Sequence, residues 1–309
     1  MTVRKLKMEK KRSRLPDWFR TRLPTGELLE KFTETKNTVT EKTLHTVCQE
    51  ARCPNIHECW AAKDATFMVA GQECTRACRF CAVGTIKRPP PLDIDEPANL
   101  AEAISTMGLN HAVITVVNRD DLEDSGALHY RKCLEAVRER CPEVTLELLC
   151  SDLAGDDGDL AMLLDNLELE VFAHNVECVP RLDSKVRDRR ASFEQSIGIL
   201  VEAKRLRPDI LTKSSIMVGL GETNDEVSQA LQLLREAKVD LVTIGQYLAP
   251  SPKHLAVDRF PEPSQYDDWS LQIEEMGFLG WACGPLVRSS YKAGELLAKA
   301  TIRLRTHME

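Results

Sequence analysis

The segment "ECTRACRFCAV" (residues 73–83) places Cys74, Cys78 and Cys81 on one short loop, directly after an apolar strand candidate at Thr66–Ala70. Three thiolates are one short of a closed four-thiolate metal site. A cubane iron–sulfur cluster has an iron at each of four corners, so such a loop leaves one iron without a protein ligand, open to a small molecule. Structural zinc sites are closed and four-coordinate, and their cysteines come in closely spaced pairs, so a lone triplet suits zinc less well. Phe80, just before the last cysteine, would shield a cluster from water.

Outward from this loop, short apolar runs alternate with longer helical patterns. Strands are expected at Thr66–Ala70, Ala112–Val117, Val144–Leu149, Glu170–Ala173, Leu211–Val218 and Leu241–Gln246. Helices are expected at Asn99–Met107, Ala127–Arg140, Gly158–Asn166, Phe193–Leu206 and Asp225–Ala237, the first closed by Gly108 as a C-cap. Six strands with intervening helices predict a parallel α/β sheet. "NRDD", "CSD", "HNVE", "GLGE" and "GQY" follow successive strands, so polar and glycine-rich residues collect at many strand ends. That suits the top of a (β/α) barrel better than a doubly wound sheet. "GLGETN" (219–224) lacks the third glycine of a dinucleotide fingerprint and lies late in the chain. Residues 1–60 carry no such rhythm, although helices are expected at Gly26–Thr35 and Thr40–Cys48.

The 309 residues suffice for one large domain or two small ones. Hydrophobic content of 43% and charged content of 29% are ordinary for a globular chain. No apolar run approaches the ~20 residues of a membrane span, and the N-terminus lacks the apolar core of a secretory signal. A cytoplasmic location is expected, with no membrane partner. The net charge of −7 argues against nucleic acid as a partner. Arg4, Lys5, Lys7, Lys10, Lys11, Arg12 and Arg14 form a basic start. It reads either as a solvated terminus or as a patch steering an acidic partner.

Eleven cysteines is an odd number and high for a reducing compartment, so a disulfide framework explains them poorly. Six lie within residues 48–81. Besides the loop, "CQEARCPNIHEC" supplies Cys48, Cys53 and Cys59. Its alternatives are a zinc site completed by His57, buried packing thiols, or a second iron–sulfur cluster, again short of one ligand. Cys133, Cys141, Cys150, Cys178 and Cys283 are scattered and read as packing residues. "GPLVRSSYKAG" (284–294), taken alone, is a strand end and helix cap.

The C-x3-C-x-aromatic-C loop after a first strand resembles the radical S-adenosylmethionine (SAM) superfamily. With C-x4-C-x5-C upstream and R-S-S-Y downstream, the chain resembles the lipoyl synthase family. The likeness includes "RLPDWFRTRLP" (14–24), "EARCPNIHECW" (50–60), "NRDDLEDSGA" (118–127), "HNVE" (174–177), "TKSSIMVGLGE" (212–222) and "TIGQYLAPSPKHL" (243–255). Asn118, Ser215 and Cys178 depart from the family's aspartate, glycine and threonine, and none of these changes removes a cluster ligand.

The resemblance implies a partial TIM-type (β/α)6 barrel at 63–278, with an N-terminal extension (1–62) and a C-terminal extension (279–309) closing its mouth. It implies two 4Fe-4S clusters and SAM as cofactors. Cys74, Cys78 and Cys81 would hold the cluster that cleaves SAM to a 5′-deoxyadenosyl radical. Cys48, Cys53, Cys59 and Ser290 would hold an auxiliary cluster that gives up its sulfide. Catalytic weight then rests on Cys74, Cys78, Cys81 and Ser290. The implied substrate is an octanoyl group on a lysine of a lipoyl carrier domain, from a 2-oxo acid dehydrogenase E2 or the glycine cleavage H protein. Sulfur enters at C6 and C8, with electrons from a donor such as flavodoxin or ferredoxin. Such unactivated carbons are beyond side-chain acids and bases, so cofactors must do this chemistry. Asn118, Glu177, Lys213, Gly219 and Gly221 lie near expected strand ends and are candidate SAM contacts. The ordinary alternatives are a solvated strand residue for Lys213 and a helix-start carboxylate for Glu177. Competing functions are another sulfur-inserting radical SAM enzyme and a non-catalytic metal-binding scaffold.

Overall fold

A computed structural model describes residues 15–20, 24–41, 46–50 and 53–308. The basic start therefore lies outside the described residues, as does part of the helix expected at Thr40–Cys48. The centre is a single parallel sheet whose strands lie side by side in chain order. They are β1 (Asp64–Val69), β2 (His111–Val116), β3 (Thr145–Leu149), β4 (Val171–Ala173), β5 (Leu211–Val218), β6 (Leu241–Gln246) and β7 (Gly280–Gly284). Every pairing is parallel, from Asp64 opposite His111 to Leu241 opposite Gly280. The sheet curls into a partial barrel. The β5 and β6 ranges match the sequence expectation, and the other four expected strands fall within two residues of it.

The seventh strand departs from the expected six-strand barrel. "GWACG" is short and bounded by glycines, so its strand signal is weak, and pairing with β6 supplies what local propensity lacks. The segment expected to be wholly extension thus adds a strand before its final helix, Ala293–Met308.

Helices follow every strand, and their ends are set by local chemistry. Gly108 ends the helix Glu96–Met107 at φ 57°, the left-handed conformation expected of a glycine C-cap. The Ser192 hydroxyl accepts from the Gln195 amide to start Phe193–Leu206. Thr223 and Glu226 form a capping box at the start of Asn224–Glu236. The helices bury Ile104, Leu134, Leu200 and Leu231 against the sheet's Ile114, Leu148, Phe172 and Ile244. Each such side chain stabilises the fold by ~1.5–3 kcal/mol. Glu96, His129 and Cys133 meet between two helices. The pair Glu96–His129 (2.5 Å) and the Ala70 amide that donates to Glu96 (2.8 Å) account for this cluster as an inter-helix tie.

The N-terminal extension packs through the helix Glu27–Glu41. Phe32 stacks on Trp60, and Thr35 donates to the Trp60 carbonyl. Within the extension, the helix Glu27–Glu41 therefore sits against the short helix Ile56–Ala61 that carries Cys59.

Candidate active site

The three-cysteine loop leaves β1 and is fastened on every side. A two-residue strand, Glu73–Cys74, pairs with Gly84–Thr85 and closes the loop at its base. Arg76, 3% exposed, grips Asp120 after β2 and Asp152 after β3 through contacts of 2.6 Å each. Thr75 donates to the Asn118 carbonyl (3.0 Å), and Arg190 donates to the Thr75 carbonyl (2.6 Å). Asp188 accepts from the Ala77 amide, and its own amide points at the Cys78 sulfur (3.3 Å). His254, on the loop after β6, reaches the Cys81 carbonyl (2.9 Å). Residues from four strand ends thus fix one loop, as a barrel top allows.

Cys74, Cys78 and Cys81 border one cavity of about 270 Å³. Asn118 and Glu177, two of the candidate SAM contacts, border it too, together with Asp152, His174 and Arg187. Glu177 has a positive φ of 67°. Its backbone is held there by bonds with Ser215 and Met217 of β5, which turn its carboxyl toward the cavity. Burial pushes that carboxyl up, against the pull of Arg187 and a hydrogen bond from Asn175.

A second, smaller chamber of about 20 Å³ is bordered by Cys48, Cys53, Cys59 and Ser290. The expected fourth partner is therefore brought to the three thiols across more than 200 residues of chain. The strap that carries it, after β7, is tied to the N-terminal extension. Asn55 donates to the Leu286 carbonyl (2.6 Å), and the Tyr291 hydroxyl donates to Glu58 (2.7 Å). It also passes tightly over β6. A Cβ on Gly245 would lie 2.1 Å from the Val287 carbonyl oxygen, so only glycine lets the strap reach this depth.

Burial pushes Cys59 up to about 12 and Cys78 up to about 11, and it raises Cys48, Cys53 and Cys81 as well. Two sets of three soft donors, Cys48 and Cys59 buried and the others half-buried, each face one enclosure, and the raised ones are poor free thiolates. They suit bound iron, whose positive charge reverses this preference. The donor sets therefore fit iron–sulfur clusters.

Three expected SAM contacts lie elsewhere. Lys213 is the third residue of β5, and its Nζ donates to both Glu147 carboxylate oxygens at 2.8 Å. Both side chains are 2% exposed, so the solvated alternative for Lys213 does not hold and its amine is committed to Glu147. Lys213 lies near the strand's start, not at the expected strand end. Gly219 and Gly221 border none of the three cavities described here. The amides of Gly219 and Leu220 donate instead to Glu222, which closes that turn on itself. Sequence reading missed Arg76, Asp120 and Asp152, and also Asp64, which borders the small chamber. "NRDD" and "CSD" mark those strand ends as polar, but which of their carboxylates meets Arg76 is decided only when the sheet gathers them.

A third cavity, about 240 Å³, lies between the other two. It shares Phe80, Asn175 and Glu177 with the first and Arg288 with the second. Ile216, Met217, Leu248 and Val287 make much of its wall apolar.

A curled parallel sheet carrying three thiols on its first loop defines a radical SAM protein, and residues 68–234 match the profile of the Radical SAM superfamily. Residues 2–53 match that of the N-terminal domain of lipoyl synthase of the Radical SAM family. Mitochondrial lipoyl synthases of Bos taurus and Homo sapiens are each 47% identical over 306 residues, covering 97% of this chain and 81% of theirs. That of Schizosaccharomyces japonicus is 47% identical over 298 residues, covering 95% and 78%. The chain belongs to the lipoyl synthase family.

Among solved structures, the FeFe-hydrogenase maturase HydG of Carboxydothermus hydrogenoformans has a TM-score of 0.57 at 13% identity, covering 89% of this chain and 75% of that one. Methylornithine synthase (PylB) has 0.54 at 12%, covering 89% and 96%. Streptococcus suis SuiB has 0.56 at 10%, covering 76% of this chain and about half (53%) of SuiB. At these identities the likeness concerns the fold alone. The relatives' mitochondrial designation overturns the expected cytoplasmic location. That expectation rested on the lack of an apolar secretory signal and on reading the short basic start, which contains Glu9, as no organelle presequence. No described helix is long and apolar enough to cross a membrane.

Proposed function

We propose that this chain builds the lipoyl group by inserting two sulfur atoms, at C6 and C8, into an octanoyl chain carried on a lysine of a lipoyl carrier domain. Its relatives support placing that reaction in the mitochondrion. The observation that carries the reading is the row of three cavities: three thiols at one end, three thiols and Ser290 at the other, and between them a chamber with Ile216, Met217, Leu248 and Val287 in its wall.

In this reading Cys74, Cys78 and Cys81 hold one 4Fe-4S cluster, and Cys48, Cys53, Cys59 and Ser290 hold a second. When bound, these groups and SAM supply the radical chemistry and the sulfur. The chain's own residues do the rest. Asn118 and Glu177 orient SAM beside the first set of thiols. Phe80, Ile216, Met217 and Val287 receive the alkyl chain and exclude water and stray hydrogen donors from the space between the sets. Ser290, a weaker iron ligand than a thiolate, suits a cluster that is dismantled in use. Arg76 with Asp120 and Asp152 keeps the first loop in place, so that distances between the ends are set before substrate enters. Carriers from a 2-oxo acid dehydrogenase E2 or the glycine cleavage H protein fit the reaction, as does reduction by flavodoxin or ferredoxin.

The test is iron, zinc and acid-labile sulfide per chain, prepared without oxygen, followed by turnover of an octanoylated carrier with SAM. About eight irons with matching sulfide, together with lipoylated product, support the reading. Zinc in place of iron, or loaded protein that leaves the octanoyl chain unchanged, would overturn it.

A further inference from the structure

Arg288 borders both the small chamber of Cys48, Cys53, Cys59 and Ser290 and the central cavity. Its Nη1 donates to the carbonyls of Gln246 (3.2 Å) and Val287 (2.8 Å). These are neutral partners. The inward-facing guanidinium groups of Arg76, Arg119 and Arg187 each meet a carboxylate. Among the described residues Arg288 has no carboxylate within ion-pair distance. Arg288 is half-buried, and a cation that meets only carbonyls there is favoured where an anion faces it.

That anion is supplied by the chamber's own donors. Three thiolates and an alkoxide on a four-iron core leave a net charge of about −2, and the charge around such a group is one determinant of its potential. Arg288 and Ser290 ride on the same strap, so whatever seats the serine also delivers the guanidinium.

We propose that Arg288 is a positioning residue that supplies the counter-charge of the auxiliary iron–sulfur site and raises its reduction potential. This rests on the reading that Cys48, Cys53, Cys59 and Ser290 hold a cluster. A guanidinium beside the site stabilises the form carrying one more electron. Lysine would keep that charge, and methionine would fill similar volume without it.

The experiment uses the full chain with Cys74, Cys78 and Cys81 each changed to Ala, so that only the auxiliary site takes up iron. Redox titration followed by electron paramagnetic resonance is compared for this background, Arg288→Lys and Arg288→Met. In Arg288→Met the ratio of reduced to oxidised site at a fixed potential is expected to fall at least tenfold, ~59 mV for one electron. Arg288→Lys should stay close to the background. Should Arg288→Met fail to take up iron while Arg288→Lys takes up about four, the counter-charge is needed for assembly itself, which supports the proposal. Equal loss of iron in both variants overturns it, and so does an unchanged potential in Arg288→Met. No iron in the background protein overturns the ligand reading and this inference together, whereas iron with unmoved potentials overturns this inference alone.

Discussion

Gly245→Ala is the sharpest perturbation of the two-ended site, because it acts on the strap without touching a ligand. The added Cβ would stand 2.1 Å from the Val287 carbonyl oxygen, whereas ordinary contact begins at 3.4 Å. The strap must retreat by roughly 1.3 Å to relieve this overlap. Asn55 and Tyr291 hold the strap to the N-terminal extension on either side of Val287, so the displacement falls on the residues between, which include Arg288 and Ser290. Metal–ligand distances tolerate only ~0.2 Å, so Ser290 leaves the ligand set. Overpacking of this kind costs ~1–3 kcal/mol, which leaves the fold intact. Anaerobically prepared Gly245→Ala is expected to retain the cluster at Cys74, Cys78 and Cys81 and to cleave SAM at the parent rate. It should lose auxiliary iron and form lipoylated product ~100-fold more slowly. Gly198→Ala, where nothing lies within 4 Å of the added atom, is the control. Full iron content with parent-level product in Gly245→Ala would show that the strap's depth does not matter and would refute this reasoning.

Three further outcomes are expected. Lys213→Met should destabilise the fold by ~3–5 kcal/mol, because it leaves Glu147 buried without its partner; SAM affinity, measured by calorimetry on loaded protein, should not change. Cys78→Ala should abolish 5′-deoxyadenosine formation while auxiliary iron remains, and continued SAM cleavage would mean that the two thiol sets have been assigned the wrong way round. The third concerns His111, which burial lowers to about 3 from its ordinary 6.5. A group depressed on folding contributes stability that is whole above the unfolded value and is lost as pH falls toward the folded one. The unfolding free energy from urea titrations should therefore fall from about pH 6.5 downward by up to ~1.4 kcal/mol per pH unit, and His111→Gln should flatten that slope between about pH 6.5 and 5. An unaltered slope in His111→Gln would assign the titration to another group.

Much of this protein was legible in its sequence. Strand and helix periods over 64–246 came through because parallel strands buried on both faces are near-continuous apolar runs, and their helices carry explicit caps. The two thiol sets came through because their spacing is local: Cys74, Cys78 and Cys81 share a single loop, and Cys48, Cys53 and Cys59 lie within twelve residues. The pairing of Ser290 with the second set came only through resemblance to a family, since nothing in R-S-S-Y itself marks an iron ligand.

Other features exist only in three dimensions. The seventh strand forms because β6 offers an open edge to a segment with little propensity of its own. Lys213 sits at a strand position whose inward direction the two-residue period predicts, but its depth along the barrel depends on how far each strand extends past its neighbour. That depth separates a cofactor contact from a buried ion pair with Glu147. Arg76, Asp120 and Asp152 lie on three connections and become one clamp only when the strands stand side by side. Local spacing is carried by the chain's covalent geometry and can be read along it. The distances between strand ends, between Gly245 and the strap, and between Arg288 and two cavities are set by how the sheet curls, and curl is a property of all the packed strands together.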